Sequence, residues 1–214
     1  MSAPPFDVVI VAGGAGTRLV APVPKAFVNL HGKPLFLYSI EAFDTHTATG
    51  SIILVVPRKM IELTQTLLAG RTSAKEIHIA EGGKERWNSV QNGVSACTAD
   101  WIMVHDAARP FVTHAVITAT PETDTVRTFE KDRCLTTMDR TKLVRVGTPQ
   151  LFRAETLKES FLAARSLDAP PTDEAMLMEK MGIPIGIAWG DPLNFKITTQ
   201  ADLTIAEALC ARGR

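Results

Sequence analysis

Between residues 8 and 104 four short apolar runs, rich in β-branched side chains, alternate with stretches whose apolar residues recur at helical spacing. The runs are Val8–Val11, Ile52–Val56, Ile77–Ala80 and Trp101–Val104, each ended by glycine, proline or a polar cluster. Between them lie Leu35, Phe36, Ile40 and Phe43 after Pro34, then Ile61–Leu68, then Val90, Val94 and Cys97. Such alternation predicts an α/β fold with a mostly parallel sheet and helices on both faces. Further on, helices are expected over Glu155–Ala164, over Asp173–Met181 with Thr172 as N-cap, and over Ala201–Ala211 behind Thr199 with Asp202 as capping-box acid. Ile183–Ala188 and Asn194–Ile197 read as strands, and the charged, weakly alternating Leu135–Arg145 reads as an exposed strand or arm. Pro110 and Thr123 lie too close for an ordinary parallel crossover, so that connection is either truncated or lacks residues. No repeat or linker divides the chain, and residues 1–214 are expected to form one domain.

With 23 Lys+Arg against 23 Asp+Glu the chain is formally neutral, and its basic residues are scattered singly. A nucleic-acid surface would show a basic excess or stripe, so no such partner is expected. A hydrophobic content of 45% is enough for a real core. Cys97, Cys134 and Cys210 form no C-x-x-C pair and are expected to be reduced thiols of a cytoplasmic protein. The N-terminus has no basic segment and only a short apolar run, so neither a signal peptide nor a membrane span is expected.

The first run breaks into Ala12-Gly13-Gly14-Ala15-Gly16-Thr17-Arg18, and Lys25 follows in Pro24-Lys25. Glycines after a first strand let backbone N–H groups approach phosphate oxygens, and two cations beside them suit a triphosphate. The spacing is neither G-x-G-x-x-G nor G-x-x-x-x-G-K-[ST], which disfavours a dinucleotide site or a P-loop. The competing reading is a plain turn with Arg18 solvated. Asp106 directly follows an apolar run, where open α/β sheets bind ligands. It either holds Mg2+ on phosphates or pairs structurally with Arg109. Asp191 is a second metal candidate that could equally cap a turn. Lys196 reads as a phosphate ligand or as an edge lysine reaching to water, and Ser89 as a base-binding hydroxyl or an ordinary helix-start residue.

Taken together, the glycine segment with Arg18 and Lys25 resembles nucleotidyltransferases. Gly82-Gly83-Lys84-Glu85-Arg86, His105-Asp106-Ala107-Ala108-Arg109-Pro110, Thr123-Asp124-Thr125, Met138-Asp139-Arg140, Thr148-Pro149-Gln150, Thr172-Asp173-Glu174 and Asn194-Phe195-Lys196 then follow in the order of the 2-C-methyl-D-erythritol 4-phosphate cytidylyltransferase family. The resemblance runs from Val8 to Leu209. It implies a three-layer Rossmann-like nucleotidyltransferase fold with a protruding β-arm, and transfer of CMP from CTP to 2-C-methyl-D-erythritol 4-phosphate, releasing pyrophosphate, with Mg2+ or another divalent cation. It implies that Arg18, Lys25 and Lys196 surround the α-phosphate. By the same resemblance Ala12, Gly13, Gly14, Ala15, Gly16, Gly82, Gly83, Arg86, Ser89, Asp106 and Ala107 bind the nucleotide. Arg109, Thr125, Arg140, Thr148 and Thr172 would bind the acceptor, with residues 122–142 an arm that completes the site across a homodimer. A cytidylyltransferase for another polyol phosphate, such as D-ribitol 5-phosphate, is the nearest alternative. A non-catalytic nucleotide-binding module is disfavoured by the presence of all three cations.

Overall fold

The computed structural model describes residues 4–14, 19, 21–112, 118–164 and 169–213. In chain order the elements are β1 (Phe6–Val11), β2 (Asn29–Leu30), β3 (Lys33–Pro34), α1 (Leu35–Asp44), β4 (Thr49–Val56), α2 (Ile61–Leu68), β5 (Glu76–Glu81), α3 (Arg86–Ser95) and β6 (Trp101–Asp106). There follow β7 (Thr118–Pro121), β8 (Arg127–Glu130), β9 (Arg133–Thr137), β10 (Val144–Val146), β11 (Gln150–Arg153), α4 (Ala154–Ala164), α5 (Glu174–Lys180), β12 (Ala188–Trp189) and α6 (Gln200–Ala211).

The main sheet runs β11-β6-β1-β4-β5, parallel except for the antiparallel edge strand β11. Successive strand residues point to opposite faces, and the sequence supplies apolar residues for both. Val9, Val11, Ile53, Val55, Ile102 and Val104 pack under α3, α4 and α5. Phe6, Val8, Ile10, Ile52, Leu54 and Met103 pack against Phe36, Ile40 and Phe43 of α1 on the opposite face. Both faces of β1 are therefore dry, which is why its run is continuously apolar. A third cluster, with Leu30, Leu35, Phe111, Ile197, Leu203 and Ala206, seats α6 at one side. The expected mostly parallel, three-layer α/β architecture is thus what forms.

β1 continues to β4 on one side, whereas β5 leads through α3 back to β6 on the other. The carboxyl ends of β1 and β6 therefore flank the crevice where open sheets of this kind take ligands. How close α3 sits to that crevice depends on Gly93: a Cβ there would lie 2.5 Å from Val9 Cγ1 and 2.8 Å from Val55 Cγ2. A second sheet, β10-β7-β12, meets the first where Thr118 N–H of β7 donates to the O of Pro149, just before β11, at 3.3 Å. The hairpin β8–β9 is exposed along its whole length. The expectation about the short connection falls on residues 113–117, outside the described residues.

Three local expectations are corrected. Among the described residues, only Ala188–Trp189 of the apolar run 183–189 pairs with a neighbour, as β12. Asn194–Ile197 is not a strand; Ile197 N–H bonds Ala108 O at 2.9 Å and ties that segment to the loop after β6. The N-cap of α5 is Asp173 instead of Thr172: its Oδ1 accepts from Met176 N–H, and its Oδ2 from Gln150 Nε2 on β11. The capping box of Thr199 and Asp202 on α6 is present.

A carboxylate anchors the bottom of the sheet. Asp7 is buried, with Oδ1 accepting from Ser51 N–H and Oγ–H and Oδ2 from Thr98 and Ala99 N–H, at 2.8–3.0 Å. Burial would raise its carboxyl, but the N–H donors of Ala99, Ser51 and Thr98 outweigh that and hold it below its ordinary value. A depressed native pKa contributes stability above the unfolded value, about 4, and that contribution is lost as pH falls through the native value. Asp7→Asn should therefore cost about 2–3 kcal/mol at pH 7 in urea unfolding, with the gap to wild type shrinking below about pH 4. Gly93→Ala should cost about 1–3 kcal/mol by overpacking α3 on the sheet, read as a lowered urea midpoint.

Candidate functional site

The crevice at the ends of β1 and β6 opens into a cavity of about 290 Å3 lined by Gly13 and Gly14 after β1, Lys25, residues 83–86 and Ser89 at the start of α3, Asp106, Ala108 and Lys196. Gly83 can sit against α3 only without a side chain, since a Cβ would lie 2.3 Å from Asn88 Cβ. Its N–H donates to Ser89 Oγ at 3.0 Å, and Ser89 Oγ–H faces Glu85 O at 3.3 Å. The positive end of the α3 dipole thereby faces the cavity, which favours an anion.

Asp106 lies at the centre. Its Oδ1 accepts from Arg86 Nε at 3.1 Å and its Oδ2 from Lys196 Nζ at 2.6 Å, with Arg109 Nε 4.0 Å from Oδ2. Burial would raise this carboxyl, but the charges of Arg86 and Lys196 hold it far below the usual carboxylate range. Its backbone is fixed as firmly: Asp106 N–H donates to Thr148 Oγ1 at 3.0 Å, and Thr148 Oγ1 lies 3.3 Å from His105 Nδ1. His105 is fully buried, and burial lowers its pKa to about 4. As a neutral ring it donates from Nε2 to Arg109 O at 3.1 Å and accepts the Thr148 hydroxyl at Nδ1. The residues flanking Asp106 thus hold its carboxylate in place.

A second cavity, about 280 Å3, lies next to the first and is lined by Arg109, Thr118, Thr120, Arg145, Gly147, Asp191, Asn194 and Lys196. Lys196 lines both cavities. Arg109 is held by Nη1 donating to Asn194 O at 3.0 Å. Asp191 Oδ1 accepts from Leu193 N–H at 2.8 Å.

Of the residues singled out in the sequence, Gly13, Gly14, Lys25, Gly83, Arg86, Ser89, Asp106 and Lys196 meet at the first cavity, and Arg109 and Asp191 at the second. Ala12 also lines the first cavity, with its N–H on Val55 O. Gly82 and Ala107 sit just behind it, with N–H groups bonded to Val56 O and Val11 O. Thr148 is buried beneath Asp106. Thr172 lines a separate cavity beside α5, with Met176 and Ile187. Thr125 and Arg140 are exposed at the arm, where Arg140 Nη1 donates to Thr123 O at 2.7 Å. Ala15, Gly16 and Arg18 lie outside the described residues. One participant was missed in the sequence: Glu174, buried, accepts from Arg86 Nη1 at 2.7 Å. Its only signal was its place in Thr172-Asp173-Glu174.

Known proteins similar in sequence and fold identify the family. A curated 2-C-methyl-D-erythritol 4-phosphate cytidylyltransferase of Bacteroides thetaiotaomicron is 37% identical, covering 95% of this chain and 98% of its own. One of Rhodococcus jostii is 36% identical, covering 98% and 96%. Among solved structures, the Thermus thermophilus enzyme of that name has a TM-score of 0.78 at 27% identity, covering 97% of this chain and 99% of its own. A 4-diphosphocytidyl-2C-methyl-D-erythritol synthase from Anaerococcus prevotii shares the fold, with a TM-score of 0.83 at 23% identity over 98% and 97%. The family model for 2-C-methyl-D-erythritol 4-phosphate cytidylyltransferase matches residues 6–212, and this chain belongs to that family.

Proposed function

We propose a division of labour among the residues for the reaction of this family, transfer of CMP from CTP to 2-C-methyl-D-erythritol 4-phosphate with release of pyrophosphate. The carrying observation is Lys196, which lines both cavities and touches Asp106 at their junction. An acceptor phosphate in the second cavity attacks the α-phosphate of CTP in the first, and pyrophosphate leaves in line. Such transfer depends on positioning and charge neutralisation. Lys196 and Lys25, with Arg18, neutralise the charge that builds on the α-phosphate. Gly82, Gly83 and Ser89 form the cytosine end, where a small pocket excludes purines. Arg109 reaches the acceptor phosphate, its planar fork suiting phosphate oxygens.

The donor set suits a magnesium ion. Asp106 presents a carboxylate to the cavity, which Glu85 also lines, and Mg2+ takes one or two carboxylates plus phosphate oxygens and water. Bound there, it would neutralise phosphate charge; Asp191 is a second candidate ligand from the acceptor side.

The hairpin β8–β9 supports a homodimer. Phe129 is 75% exposed on it, beside exposed Leu135 and Met138. Burial against a second copy would cover these side chains and bring Thr125 and Arg140 to that copy's acceptor cavity. Unpaired Cys97, Cys134 and Cys210 suit a reducing cytoplasm, and among the described residues no helix is long and apolar enough to cross a membrane.

Pyrophosphate release tests the reaction: it should require both CTP and methylerythritol phosphate, and release with ribitol 5-phosphate alone would move the enzyme to the other acceptor. Lys196→Ala should lower kcat by about 10²–10³-fold, or 3–4 kcal/mol, and Lys25→Ala should keep CTP binding while losing turnover. Phe129→Glu should sediment as a monomer, with a raised KM for methylerythritol phosphate and little change for CTP.

A further inference from the structure

Glu174 opens α5, a helix whose other inward residues, Ala175, Leu177 and Met178, are apolar. It is 1% exposed, and its Oε2 is buried with no hydrogen-bond partner among the described residues. Leaving a buried carboxylate oxygen unpaired costs stability, and sequences accept such local costs mainly at working sites. Its Oε1 takes the 2.7 Å bond from Arg86 Nη1, while Arg86 Nε bonds Asp106 Oδ1. The guanidinium is therefore held from two directions. Asp173 ties the start of α5 to Gln150 on β11, so Glu174 is presented from a fixed point. Released from Glu174, Arg86 could turn onto Asp106 as a two-pronged pair, an arrangement guanidinium and carboxylate favour. It would then compete with Lys196 for Oδ2.

We propose that Glu174 is a positioning residue that acts through Arg86: it keeps the guanidinium in a one-pronged contact with Asp106, so that Lys196 keeps Oδ2 as its resting partner and Arg86 keeps its cavity edge for the nucleotide. This rests on Arg86 and Asp106 forming the nucleotide site. Glu174→Gln preserves shape and removes the charge that holds the guanidinium.

The test compares wild type, Glu174→Gln, Arg86→Lys and the double variant. The readouts are kcat/KM for CTP and calorimetric CTP binding, measured well below each protein's melting temperature. Glu174→Gln should lower kcat/KM or CTP affinity at least tenfold beside Arg86 and less than twofold beside Lys at position 86. Equal losses in both backgrounds would overturn the proposal, because a role in seating α5 does not depend on Arg86. Wild-type kinetics and binding in Glu174→Gln, with Arg86→Lys impaired, would overturn it too. Unimpaired Arg86→Lys and Asp106→Asn would instead remove the site on which it stands. Should Glu174→Gln not fold, Glu174→Asp, with the charge kept on a shorter stem, takes its place in the same comparison.

Discussion

A carboxylate taken out of water is tolerated only when its charge is answered at close range. Asp106 meets that demand with Arg86 from the first turn of α3 and Lys196 from the segment before α6, and with Arg109 three residues on in its own loop. That requirement ties these pieces together. Without Asp106 the three cations would repel one another at the mouth of the sheet, and without them the end of β6 could not bury its last residue. The Thr148 and His105 hydrogen bonds complete the arrangement by fixing the backbone from which the carboxylate projects.

The same cluster explains why the site suits phosphoryl chemistry. Arg86, Arg109 and Lys196 face two buried carboxylates, Asp106 and Glu174, so positive charge is in excess where the two cavities meet. A preformed field of that sign needs no reorganisation when charge develops on phosphate. The glycines act differently: Gly83 removes steric bulk between the loop and α3, and Gly93 lets α3 lie directly on β1 and β4. Both set the distance between the helix start and the carboxyl ends of the strands.

Much of this was legible in one dimension because the signals are local. Strands buried on both faces read as continuous apolar runs, and β1, β4 and β6 extend the expected runs by only a few residues. The capping box of Thr199 and Asp202 spans four residues and formed as read. Where expectation failed, the deciding contact lay elsewhere. Residues 183–187 are apolar, yet among the described residues only Ala188–Trp189 finds a partner strand, and that partner, β7, lies about 70 positions away. Asp173 displaces Thr172 as the cap of α5 because its carboxylate can also reach Gln150 on β11.

The amino-acid order by itself determined the alternation of strands and helices, the glycine-marked ends of the strands and the family motifs, since each depends on spacing within a few residues. Only the tertiary structure decided which charges meet. Glu174 and Arg86 are 88 positions apart, and Lys196 and Asp106 are 90 apart. Whether a carboxylate is solvated, orphaned or paired is set by what packs around it, and that is a property of the folded sheet and its helices.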